Sequence, residues 1–442
     1  MKKSKILLYS LPLVTLFILL HIFFPPWLSS QIKRDIDILF LDPISNWYLI
    51  FEFLGLMILL GFVIYFGIHF LASFGSGYVP KDLKNRPRIS ILIPAKNEKM
   101  HLKRTLNSII ECNYPKDKME IIVITSGSTD GSTEFCKNYE QDHSKINIKI
   151  LSKSLEVKGK PAALNYGLEN VENDICIFYD AGNILKPDSI TNLINPLNKN
   201  GKNVAMGSVL IENWNENKWS RGNIIDYALI SGGGIISEVK NRLGSSCYLF
   251  GRNFCIRTNV LRELGGFREE SLTEDLFLSI ILNLNGEKIQ FVPTARIYDT
   301  VPTDLNVIKR QRIRWILGLK NDSPVLMKID KKGKNTALVL MSRSLSLILL
   351  ANIDVWIFIM SIFLVIFFII SEFYLFSWTL ACIIFSFGLI INGIRKYGEK
   401  HYSAFLWIPA SIYIHLYMLT RNFSMPKEYE WEVTRINLDD DN

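Results

Sequence analysis

The sequence predicts an α/β domain inserted between transmembrane α-helices, and three observations predict it. Apolar residues crowd positions 6–24, 47–74 and 336–423, whereas residues 85–330 read like an ordinary soluble domain. Within that domain, short runs rich in β-branched residues alternate with helical stretches, the pattern of a mostly parallel sheet. The polar and charged residues of interest fall directly after those runs, where the carboxyl ends of parallel strands place ligands.

The bilayer core is crossed by roughly 20 apolar residues in a helix, so residues 6–24 and 47–74 both read as spans. Lys2, Lys3 and Lys5 precede the first, and Lys81, Lys84, Arg86 and Arg88 follow the second. The loop between them sets Lys33 and Arg34 against Asp35, Asp37 and Asp42. Positive charge marks the cytosolic side, so both basic flanks and the inserted domain face the cytosol. The expectation is a multi-pass protein of the cell membrane, with the lipid bilayer as a partner.

The chain of 442 residues carries a net charge of +8, which these flanks and Lys328, Lys331, Lys332 and Lys334 explain. No basic stripe with interleaved aromatics crosses the soluble part, which argues against nucleic acid as a partner. Cys112, Cys136, Cys176, Cys247, Cys255 and Cys382 form no C-x-x-C pair, which points to a reducing compartment and away from a zinc site. The expected divisions are 1–80 for the first spans, 85–300 for the cytosolic domain, 301–346 for interfacial helices, 347–423 for further spans and 424–442 for a cytosolic tail.

Strands are expected at 88–94, 120–124, 146–151 and 174–179, with helices at 99–111 and 161–168. The segments after these strands are Ala95-Lys96-Asn97-Glu98, Ser126 to Asp130, and Asp180-Ala181-Gly182-Asn183. Farther on, Ser271 to Glu274 forms an S-x-x-E capping box ahead of the apolar run Leu276 to Leu284. Asp275 beside it is compatible both with capping and with proton transfer. If residues 306–319 are helical, Gln311, Arg314 and Trp315 lie at i, i+3 and i+4 and share one face. An interfacial helix with Trp315 at the headgroup level is the competing reading.

Taken together, these motifs resemble the membrane-integrated family 2 of inverting GT-A glycosyltransferases, which contains the cellulose, chitin and hyaluronan synthases. The resemblance runs from about Ile89 to Trp315. It is carried by Ile93-Pro94-Ala95-Lys96-Asn97-Glu98, Gly127-Ser128-Thr129-Asp130-Gly131, and Lys158-Gly159-Lys160-Pro161-Ala162-Ala163-Leu164-Asn165. Its most specific parts are Thr273-Glu274-Asp275 and Gln311-Arg312-Ile313-Arg314-Trp315.

The resemblance implies a GT-A fold with a Rossmann-like mixed sheet and transfer of a sugar from a nucleotide sugar to a glycan or glycolipid acceptor. It implies Asp275 as the base, with Glu274 beside it and Arg314 on the departing diphosphate. Pro94, Lys96, Glu98, Ser126, Asp130, Lys160 and Asp180 would bind the donor. Gln311, Trp315 and the trio Gly251, Arg252 and Asn253 would line the acceptor site. Asp180 with Asn183 would hold a divalent cation, Mg²⁺ or Mn²⁺. Two departures touch the donor: Thr125 and Ser126 replace paired aspartates, and Gly182 replaces the second carboxylate of a D-x-D. Loss of a carboxylate weakens a site for a hard cation.

In the last third, an interfacial helix is expected at 336–346 and spans near 347–370, 373–394 and 403–423. Trp431 to Arg435 resembles the family's cytosolic tail, which would require a re-entrant segment or a hairpin turning near Asn352 and Asp354. Such a bundle suits a growing polymer threaded outward. Transfer of one sugar to a membrane lipid, and a non-catalytic sugar-binding protein, are the alternatives.

Overall fold

A computed structural model of the chain describes residues 26–83, 85–152, 159–199, 201–329, 353–369 and 373–421. The expected first span, the helix at 336–346, the turn at Asn352, the tail motif and Lys158 lie outside them.

The chain divides into two compact units, residues 1–74 with 353–389 and residues 75–352 with 390–442. Among the described residues, two helices, Leu54–Ser73 and Leu375–Tyr397, are long and apolar enough to cross a bilayer, by length and composition. In the first unit, Leu56, Leu59, Trp378 and Cys382 make a small core, while Met57, Ile58, Val365 and Phe368 stay exposed. Exposed apolar surface of this kind marks a face that water does not normally cover.

The second unit is built on one eight-stranded sheet in the order β3-β2-β1-β4-β7-β6-β8-β5. β1 (Ile89–Pro94) sits between β2 (Met119–Ile124) and β4 (Ile175–Phe178), parallel to both, and β2 pairs in parallel with β3 (Asn147–Leu151). Ile91, Leu92 and Ile93 are fully buried, as expected for a central parallel strand packed on both faces. Helix Lys99–Glu111 matches its expected bounds and turns His101, Leu102, Thr105, Leu106, Ser108 and Ile109 inward at helical spacing.

Beyond β4 the sheet becomes mixed. β7 (Phe254–Arg257) runs antiparallel to both β4 and β6 (Val204–Ile211), while β6 pairs in parallel with β8 (Ile289–Asp299). The short β5 (Ile184–Leu185) closes the edge antiparallel to β8. Phe178 of β4 stacks on Phe254 of β7 with ring centroids 4.6 Å apart, which holds this junction together.

The region expected as a span at 403–423 is described as far as residue 421. Its described residues form a 3₁₀ turn, Tyr402–Trp407, and a helix of 14 residues, Ile408–Arg421. The helix Ile408–Arg421 packs on helix Lys218–Asp226 of the same unit.

Candidate active site

The candidate base, Asp275, is the second residue of helix Glu274–Leu284. Thr273 stands at its N-cap and makes no side-chain capping bond. Ser271 does not cap either, which corrects the capping-box expectation. Its hydroxyl donates to Asp322 Oδ2 at 2.5 Å, and Thr273 Oγ1 donates to the same oxygen at 3.4 Å. Asp322 belongs to helix Leu305–Ile329, whose Arg314 Nη1 donates to Leu272 O at 3.0 Å. Between those residues comes Gly318, where any side chain would run into Thr273. Arg314, Gly318 and Asp322 are spaced i, i+4 and i+8, so one helix face grips the three residues 271–273 just before Glu274 and the base.

Lys160 opens helix Lys160–Glu169 and reaches across to the same place. Its Nζ lies 2.7 Å from Asp180 Oδ1 and 3.7 Å from Glu274 Oε1, and it donates to Gly251 O at 2.9 Å. Gly251 has φ 74°, and a Cβ there would stand 3.3 Å from Asp275 Oδ2 and 3.4 Å from Lys160 Nζ. A glycine therefore provides both the left-handed turn and the room between carboxylate and ammonium.

Burial, followed by the neighbouring Glu274 carboxylate, pushes the Asp275 carboxyl up to about 7, against the opposing pull of Lys160 and Arg314. Burial disfavours the Lys160 ammonium, but Asp180, Glu274 and Asp275 hold its pKa above the ordinary lysine value. The result is a proton acceptor poised near neutrality beside a fixed cation. Matched proton affinity of this kind is what general-base chemistry requires.

The loops after β1 and β2 lock to each other. Asn97 Oδ1 accepts from Thr129 N at 2.8 Å, and Ser128 Oγ accepts from Asn97 N at 3.1 Å. The Asp130 carboxylate accepts from Lys99 N at 3.1 Å and from Ser132 N at 2.9 Å. Burial works against that carboxylate, yet the bonds from Ser132 and Lys99 hold it below its ordinary value. Asp130 thus shapes the loop pair. Glu98 sits at the start of helix Lys99–Glu111, 3.9 Å from His101 Nε2. Pro94 ends β1, Lys96 is exposed, and Ser126 Oγ is buried with no hydrogen-bond partner among the described residues.

The residues around Asp180 do not fit a two-carboxylate cation site. Gly182 has φ 94°, so an aspartate there would be strained by about 1–3 kcal/mol. Asn183 is 0 % exposed, and its Oδ1 accepts from Asp180 N at 2.9 Å, so it braces the loop from inside. Asp180 Oδ1 already carries the Lys160 ammonium. Among the described residues, no group of three or more His, Cys, Asp or Glu is arranged to hold a metal ion. The side-chain cations near these carboxylates are Lys160 and Arg314.

The acceptor trio separates into three environments. Gly251 belongs to the cluster above. Arg252 pairs with Asp299 Oδ2 at 2.7 Å and donates to Tyr227 OH at 2.9 Å. Asn253 does not line a cleft: it is 0 % exposed, with φ 53°, and its Nδ2 donates to Ser208 O and Ala295 O, each at 2.9 Å. Those carbonyls sit where the β6–β8 register shifts between Gly207 and Ser208, so Asn253 satisfies the bulge. Gln311, Arg314 and Trp315 are each half-buried on one helix.

Sequence reasoning missed Asp322, Asp226 and Arg312. Arg312 lies between Gln311 and Arg314, yet it is buried and paired with Asp226. The signal available for Asp322 was its i+8 spacing from Arg314.

Comparison with known proteins completes the description. A family model described as "Glycosyltransferase like family 2" matches residues 87–318. The Bacillus subtilis (strain 168) "Probable glycosyltransferase YdaM" is 29% identical over 244 residues, covering 54% of this chain and 58% of that protein. The Staphylococcus epidermidis (RP62A) poly-beta-1,6-N-acetyl-D-glucosamine synthase is 28% identical, covering 60% of this chain and 63% of the relative. The beta-monoglucosyldiacylglycerol synthase of Nostoc sp. (PCC 7120) is 25% identical, covering 60% and 56%. The chain thus spans about three fifths of the length of these relatives. In fold, it resembles a Pyrobaculum calidifontis mannosyltransferase solved with GDP-Man and Mn²⁺, with a TM-score of 0.53 at 17% identity over 83% of this chain and 96% of that one.

Proposed function

The chain belongs to the glycosyltransferase like family 2, whose model covers more than half of it, and from that premise we propose an inverting transfer from a nucleotide sugar to a growing polysaccharide. One observation carries the reading: the near-neutral Asp275 carboxyl stands within a single cluster with Lys160 and Arg314. In this reaction the acceptor oxygen attacks the anomeric carbon while Asp275 takes its proton. The bond from that carbon to the diphosphate breaks, and the nucleoside diphosphate leaves with the electron pair.

Charge gathers on the departing diphosphate, and preorganised cations in a dry site stabilise it best. Lys160 and Arg314 are the residues that supply them. Asp180 holds Lys160 in place until the diphosphate competes for the ammonium. Trp315 would carry the acceptor sugar, with Gln311 beside it on the same helix. Glu98, Lys96 and Ser126 would meet the nucleoside on the loops that Asp130 locks.

Relatives with both kinds of product set out the second reading. One is named for a polysaccharide and another for a glucosylated diacylglycerol. We place the protein in the cell membrane as a multi-pass, cytosol-facing enzyme, supported by the two helices long and apolar enough to cross. Export of the product through those helices belongs to the polysaccharide reading.

The test is nucleotide release from a panel of sugar nucleotides by the full chain in vesicles, followed by sizing of the products. Long glycans support the polysaccharide reading, and a single-sugar glycolipid replaces it with the lipid one. Absence of nucleotide release from every donor would sink both.

A further inference from the structure

Arg312 stands in the middle of the helix that presents Gln311, Arg314 and Trp315, yet it is 3 % exposed. Its Nη2 lies 2.6 Å from Asp226 Oδ2 and donates to Asn223 Oδ1 at 3.0 Å. Asn223 and Asp226 are spaced i, i+3 on helix Lys218–Asp226, so one face of that helix receives the guanidinium. The other oxygen, Asp226 Oδ1, accepts from Ser231 Oγ at 2.8 Å. That bond is available because the chain widens into a π turn at Tyr227–Ser231, a form that is rare and concentrated at functional sites. Arg312 Cζ also lies 4.2 Å from the centroid of the Trp315 ring, three residues along the helix.

Burying two charges is costly, and well-packed apolar side chains usually serve a helix contact equally well. The pair therefore asks for a reason beyond cohesion. A planar guanidinium whose Nη2 is held by two acceptors and whose face lies against an indole provides one, because it restrains the ring where an aliphatic side chain would let it turn.

We infer that Arg312, held by Asp226, is a positioning residue that sets the orientation of Trp315 for the acceptor. The inference rests on the acceptor role proposed above for Trp315. It adds Arg312, Asp226 and Asn223 as the apparatus that keeps that platform in register.

The deciding variant is the double replacement Arg312→Met with Asp226→Leu, which removes both charges and leaves an apolar contact of similar volume. The full chain carries 5-fluorotryptophan in detergent, and the Trp315 fluorine line is assigned by its loss in Trp315→Phe. The expected result is one narrow Trp315 line in the wild type and a shifted or split line in the folded double variant. With an acceptor identified by the donor panel, the double variant is expected to raise acceptor KM by about tenfold or more while kcat stays within about threefold. That lies inside the roughly hundredfold range that a 1 Å misplacement costs.

Asp226→Asn keeps the shape of the contact and is expected to move the line less in the same direction, which carries the test if the double variant does not fold. An unchanged fluorine line in either folded variant overturns the positioning role. The fluorine measurement needs no turnover. An inactive wild type therefore counts against the proposed function, while the line still decides the inference.

Discussion

The loops after β1 and β2 are joined by side chains that bond to backbone amides near the surface, as Asn97 does to Thr129 and Asp130 to Lys99 and Ser132. The segment before Asp275 is joined to helix Leu305–Ile329 by the buried Ser271, Thr273 and Asp322 and by the half-buried Arg314, which bonds to Leu272. The first arrangement depends on loop shape and the second on the identity of particular buried residues. Thr125 and Ser126, where the sequence departs from the pattern that the resemblance implies, fall on the loop-shaped side. Asp275, Arg314 and Trp315, which the resemblance singles out, fall on the side of the buried contacts or on the helix that makes them.

The largest expected effect tests the charged side directly. Asp275→Asn should lower nucleotide release by about 10²- to 10⁴-fold, the range of general-base catalysis. Unchanged release would remove Asp275 from the base role and dissolve the contrast.

The pH profile sharpens it. The base proposed here acts when deprotonated, and the Asp275 carboxyl is pushed up to about 7, so turnover should rise with pH through that region and then level off. Below the limb, turnover should fall by about tenfold per pH unit, as for one essential proton. Glu274 is among the causes that raise Asp275. Glu274→Gln should therefore move the limb to lower pH, and a limb that stays or moves upward would refute the coupling.

Stability compares the two sides side by side. Asp322→Ala leaves the buried Ser271 hydroxyl without its acceptor and should cost about 1–3 kcal/mol. Asp130→Ala, at an exposed loop, should cost about 1 kcal/mol or less, the net value of an ordinary hydrogen bond. Equal losses in denaturant melts of the two variants would erase the distinction.

The smallest expected effect concerns the cation. Gly182 and the inward Asn183 leave Asp180 as the one carboxylate of its loop, already bearing Lys160. Chelation with EDTA should lower turnover by less than about threefold, since hard cations need several anionic oxygens. A loss of tenfold would show that Asp180 and the substrate suffice to hold one.

Much of the fold was legible because its signals are local. The strand Ile89–Pro94 and helix Lys99–Glu111 show their own periodicities, and both formed as read. The strands β6, β7 and β8 were not assigned from sequence, because their pairing reverses direction and the regular alternation of strand and helix ends at β4. The S-x-x-E pattern at Ser271 is a local rule that a distant acceptor, Asp322, overrode. Gly251, Arg252 and Asn253 are consecutive, yet they serve a charged cluster, an ion pair and a sheet bulge. Adjacency in sequence offered no means of separating them.

By itself the sequence determined the strand–loop pattern, the two apolar stretches that became long helices, and the residue types able to take a proton or meet a diphosphate. The tertiary structure decided which of those residues work together. Lys160 meets Gly251 across 91 positions and Arg314 meets Leu272 across 42. The proton affinity of Asp275 depends on burial and on the charges of Glu274, Lys160 and Arg314, and such desolvation and Coulomb effects exist only once distant residues are packed side by side.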